Sequence, residues 1–154
     1  MKRTLTIAAT ALGLTLTSAA AFADGHIDKA IGARQAQMKL YSFNLGPLGG
    51  MAKGEIEYDA AVASAAANNL VTLTQIDQSA MWPMGSDNSY EGSKALPAMW
   101  ENFPDVMEKG KALSEAAIAM QAVAGTDLAS LRGAMGDLGG ACGACHELYR
   151  EPKD

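Results

Sequence analysis

The chain has 154 residues, 49% of them hydrophobic and 19% charged, with a formal net charge of −5, two cysteines and two histidines. That length fits one domain. The acidic balance excludes a typical nucleic-acid binder and favours a basic partner met by electrostatic steering.

Lys2 and Arg3 open the chain, and an uncharged, largely apolar run follows to Ala20. Ala21-Phe22-Ala23 then gives a small-x-small cleavage pattern before Asp24. This is the layout of a secretory signal peptide. The expected division is residues 1–23 as a removed leader and 24–154 as the mature domain, exported to a periplasm and not membrane-spanning. Loss of Lys2 and Arg3 takes the formal charge from −5 to −7.

Apolar residues then recur at helical spacing in four stretches. The first covers about 28–53, with Ile27, Ile31, Arg34, Met38, Tyr41, Leu45, Leu48 and Ala52 on one stripe. Pro47 is expected to kink it or end it early. The second covers about 59–78, with Val62, Ala66, Leu70, Leu73 and Ile76 in line. A loop rich in Gly, Ser, Asn and Pro separates it from a third stretch opening near Pro97. That stripe reads Met99, Phe103, Val106, Gly110, Leu113, Ala117, Met120 and Ala124, and Pro104 predicts a bend or a delayed start. After Gly125, Thr126 or Asp127 caps a fourth helix striped by Leu128, Leu131, Met135, Leu138, Cys142, Cys145 and Tyr149. Four such stripes predict an all-α, antiparallel four-helix bundle.

Both cysteines fall in Cys142-Gly143-Ala144-Cys145-His146. On a helix, positions i, i+3 and i+4 share a face, here the core stripe. Four chemistries compete for this motif. A redox dithiol usually opens a helix after a strand, and no strand is in view. Structural zinc needs about four ligands, and the second histidine, His26, is far away near the mature N-terminus. A plain disulfide suits an oxidising compartment. Covalent haem uses the whole motif, both thiols and the histidine, and accords with export. Haem leads, as one haem c per chain. Gly139 and Gly140 are expected to leave room for the flat ring, which would then supply much of the core.

With the motif on the C-terminal helix of a bundle, the chain resembles the class II c-type cytochromes, cytochrome c′ and its low-spin relatives. "GARQAQMK" resembles the family's first-helix motif, "MAKGEIEYDA" the end of that helix, and "CGACHELYR" the attachment site. The resemblance implies thioether bonds at Cys142 and Cys145, with His146 as the axial ligand. It implies Arg34 and Gln35 near the haem and its propionates, and Arg150 on the proximal side. Met38 falls at the distal position, where most cytochromes c′ have a non-ligating residue and the low-spin relatives a methionine ligand. The basic residue often found between the cysteines is missing, since Gly143 and Ala144 are small. On its residues alone Met38 stays open between packing and ligation.

His26 reads as an exposed terminal residue. Trp82 and Trp100 read as seals of the bundle end, and "SDNS" as a turn lacking the ligand count of a calcium loop. No paired carboxylates, nucleophile–base pair or phosphate loop argues for an enzyme. The leading expectation is a one-electron carrier with iron held by His146 and Met38, serving redox partners with a basic docking surface. The alternative is a five-coordinate haem protein binding nitric oxide or carbon monoxide under a Met38 lid. A homodimer stays open. Intact mass of the exported protein should place the mature N-terminus at Asp24; a product retaining Lys2 and Arg3 would remove the leader.

Overall fold

The computed structural model describes residues 18–152, with side chains from residue 25 onward. The expected leader therefore lies outside the described residues, apart from the backbone of 18–23. Five helices follow in order: α1 Ser18–Lys53, α2 Ala60–Thr74, the single turn α3 Ala98–Glu101, α4 Phe103–Val123 and α5 Leu128–Tyr149. A 3-10 turn, Ser79–Met81, lies in the long loop between α2 and α3. The four long helices pack in sequence as an antiparallel bundle, α1 on α2, α2 on α4, α4 on α5 and α5 back on α1. Among the described residues, no helix is long and apolar enough to cross a membrane.

The ends follow from local chemistry. Asp59 caps α2 by accepting from the Ala61 and Val62 amides at 2.8 and 3.0 Å. Asp127 caps α5 through the Ser130 amide at 2.8 Å. Gly54, at φ +76°, ends α1: its amide reaches the Met51 carbonyl and the Glu55 amide reaches the Gly50 carbonyl. That paired pattern needs a left-handed residue, which glycine supplies without steric cost. α2 is shorter than expected, ending at Thr74 and leaving Ile76 41% exposed. The third stretch divides at Asn102, whose backbone leaves helical geometry, and Pro104 sits in the first turn of α4. The delayed start expected from Pro104 is therefore what occurs.

Pro47 does not end α1. The proline removes one helical donor, but the flanking turns are held from outside. Asn44 accepts from Asn69 of α2 at 2.9 Å, and Leu48 is fully buried. Tertiary contact here overrides the local penalty.

Side chains form two apolar groups rather than one. The larger runs from Tyr41, Leu48 and Met51 through Leu70 and Leu73 to Ala117, Met120, Leu131 and Leu138. The smaller gathers Ala95, Met99 and Tyr149, with Trp82, Trp100, Val106 and Cys145 against them. On α4 the first group reaches Leu113 and the second begins at Val106; on α5 the corresponding residues are Ala141 and Cys145. At 1.5 Å per residue the interval on α4 is about 10 Å. Close approach elsewhere is tight: a Cβ on Gly125 would lie 2.1 Å from Ser64 Oγ.

Leu131→Ala should cost about 2–5 kcal/mol, since Leu131 is fully buried in the larger group. Asp127 carries a different signature. Its carboxyl is held below the ordinary value by the Ser130 amide. Its stabilising effect is therefore complete above the unfolded carboxyl pKa and fades as pH falls through the lower folded value. Asp127→Ala should flatten that part of the acid limb in a melting-temperature-against-pH series.

Candidate haem site

The attachment motif lies at the interval between the two apolar groups. Cys142 and Cys145 are half-buried on the last turns of α5, and His146 is exposed. The two thiols are not bonded to each other. Burial pushes both thiols up from their ordinary values, and Asp105 adds to the shift at Cys145. Reactive dithiols need the opposite shift. Among the described residues, no three His, Cys, Asp or Glu side chains gather as a metal-binding group. Neither the dithiol nor the zinc reading gains support from this arrangement.

One hydrogen bond sets the register of α1 against α5, and one electrostatic interaction agrees with it. Arg132 Nε donates to the Ala52 carbonyl at 2.6 Å. Tyr41 lies close enough to Cys142 to feel its charge. Both pairs fit one antiparallel alignment, and stepping one turn along it brings Met38 level with Cys145 and His146. The side of the helix agrees. Gln37 and Asn44 face α2, bonding the Leu73 carbonyl and Asn69 at 2.9 Å each. Met38 is on the opposite edge of the stripe, in line with Ala52 and Leu45. Met38 is 39% exposed although its stripe neighbours Arg34 and Tyr41 are buried. Tyr41 is pushed up to about 12, first by burial and then by Cys142, so its phenol stays neutral.

This arrangement fits a flat apolar ring. The two thiols stand at the break in the core, and the α1–α5 register sets position 38 level with Cys145 and His146. α1 and α5 are the most loosely joined of the neighbouring long helices. A Cβ at Gly110 on α4, or at Gly139 or Gly140 on α5, would meet no atom within 4 Å, and all three positions are exposed. Cys142, Cys145 and His146 are the residues that would hold the ring, with Met38 facing its other side.

Arg34 and Gln35, expected near the haem and its propionates, both bond the long loop. Arg34 is 4% exposed and all four hydrogens of its terminal nitrogens go to the long loop. Nη1 donates to the Met81 carbonyl and Ser86 Oγ, and Nη2 to the Ser86 carbonyl and Ser93 Oγ. The guanidinium also stacks over Trp82, 4.5 Å from the ring centroid. Burial lowers its pKa from the ordinary value. Gln35 Nε2 donates to the Gly92 carbonyl at 2.7 Å. In this structure the two residues clamp the loop onto α1. Arg150 ends α5 in an isolated bridge with Ala95, and Trp82 meets Trp100 edge-on at 6.4 Å. His26 is exposed, as expected.

The family model for Cytochrome C′ matches residues 29–150. The chain belongs to the cytochrome c′ family. Cytochrome c-554 of Cereibacter sphaeroides is 49% identical over 148 residues, covering 94% of this chain and 97% of that protein. The solved cytochrome c′ of Rhodobacter sphaeroides superposes with a TM-score of 0.81 at 37% identity, covering 82% of this chain and 98% of its own. A ferrous variant of cytochrome c′ from Alcaligenes xylosoxidans, solved with bound nitric oxide, gives 0.72 at 31%, covering 82% and 97%. Proteins of this family carry one covalent haem c per chain, and the two cysteines it requires are present here. The matches do not single out the low-spin, Met/His-ligated subtype that the methionine at position 38 suggested.

Cys142→Ser with Cys145→Ser should abolish haem staining on denaturing gels, while each single variant keeps one thioether. Persistent covalent haem in the double variant would remove these residues from the attachment.

Proposed function

We propose that this chain is an exported, periplasmic haem protein attached through Cys142 and Cys145, with His146 holding iron on one side and Met38 covering the other as a displaceable lid. One observation carries the reading: the α1–α5 register brings a thioether level with His146 at the break in the core. When bound, haem iron supplies one-electron chemistry and a coordination position for small ligands. Met38 excludes water and leaves space for a diatomic when it swings away. The unbonded methionine is the state that likeness to cytochrome c′ favours, including the nitric-oxide-bound relative. Nitric oxide or carbon monoxide is then the ligand class.

A second reading has its own support. The residue at position 38 is a sulfur donor, and Met/His pairs serve electron carriers. With Met38 bound, the protein cycles one electron and excludes gases. The acidic chain would meet basic redox partners in either case. One relative is a cytochrome c′ solved as a dimer that dissociates under ligand control, which supports a homodimer here as well.

Visible spectra and carbon monoxide titrations of wild type and Met38→Leu separate the two. Under the lid reading, wild type is high-spin and Met38→Leu changes affinity by no more than about twofold. A methionine bound about 99% of the time would instead weaken apparent affinity about 100-fold, and Met38→Leu would restore it. A low-spin wild type with that restoration would overturn the lid and install the carrier.

A further inference from the structure

Beside Cys145 a small polar cluster ties α4 to α5. Asp105, in the first turn of α4, accepts from the Tyr149 hydroxyl at 2.6 Å. Its other oxygen lies 3.6 Å from Lys109 Nζ, one turn on. Asn102 Nδ2 donates to the same hydroxyl at 3.1 Å. Tyr149 is buried and belongs to the apolar group against which Cys145 packs. A carboxylate, an ammonium and a phenol thus sit around the inner thiol of the attachment motif, and nothing in the attachment chemistry requires them.

We propose that Asp105, Tyr149 and Lys109 act as positioning residues that set the reduction potential of the haem from its Cys145 side, by balancing one negative charge against a hydrogen bond and one positive charge. The inference rests on attachment at Cys145. Oxidised haem iron carries one more positive charge than reduced iron, so a nearby carboxylate favours the oxidised state and lowers the potential. Lys109 opposes that effect. The Tyr149 hydroxyl draws charge off the carboxylate through a short, charge-assisted hydrogen bond. The bond to Asp105 also raises the Tyr149 pKa, which keeps the phenol a donor. Both members of the ion pair are 29% exposed at the side chain, so salt screens their effect in part.

The test is the midpoint potential of haem-loaded protein, measured by spectroelectrochemistry in Asp105→Asn, Lys109→Gln and Tyr149→Phe. The expected shifts differ in sign: up for Asp105→Asn, down for Lys109→Gln and Tyr149→Phe. Asp105→Asn with Lys109→Gln should return toward wild type, and added salt should shrink the Lys109→Gln shift. A cluster that merely braced the helices would move all three the same way, by loosening α4 against α5 and wetting the ring. That result, or unmoved potentials in variants that keep covalent haem, overturns the inference alone. Lys109→Gln removes no fully buried group, so it gives a reading even where Asp105→Asn folds poorly. Wild-type protein without covalent haem on a denaturing gel would overturn the attachment and this inference together.

Discussion

The alignment of the first long helix with the last is the constraint on which the site depends. Cys142, Cys145 and His146 are neighbours in sequence, so one helix suffices to group them. Met38 is more than a hundred positions away. The Arg132–Ala52 bond sets a register in which it comes to their level, and the electrostatic influence of Cys142 on Tyr41 agrees with that register. A slip of one residue would turn Met38 about 100° around its helix, given 3.6 residues per turn.

The loop between α2 and α3 belongs to the same construction. Arg34 is a buried cation satisfied by two carbonyls, two hydroxyls and the face of Trp82. Each hydroxyl is itself tied: Ser86 donates to the Pro83 carbonyl and Ser93 to the Ser86 carbonyl. Such a network tolerates a buried charge because dipoles replace the lost water. One end of the loop then leads to the Ala95–Arg150 bridge, where the Leu96 and Glu151 amides bond the Tyr149 and Lys94 carbonyls. Position 34 on α1 and the end of α5 are thus connected through a segment with little regular structure.

Much of this was legible in the sequence because it rests on short-range rules. The four stripes, the Asp127 cap, the late start forced by Pro104 and the Cys142–His146 grouping all depend on spacings of three to seven residues. Pro47 does not end α1 because Asn69 and the core around Leu48 hold the helix from outside, and a single-helix rule does not see them. Arg34 and Gln35 were singled out, yet their loop partners lie 47 to 59 positions away. The Asp105–Tyr149 pair was missed: Tyr149 read as core and Asp105 was not singled out. A phenol on a core stripe must place its hydroxyl somewhere, and that signal was available.

The looseness between α1 and α5 has a consequence for the order in which the molecule is assembled. The α4–α5 hairpin joins chain segments only a few residues apart, whereas α1 must find a helix at the other terminus. Loop-closure entropy makes that last pairing the slowest to form. The cysteines lie in α5, the helix whose pairing with α1 closes the bundle. Until α1 arrives, both thiols remain accessible on a partly built three-helix scaffold. The architecture thus leaves a time window for covalent modification, and its closure is the same event that completes the bundle.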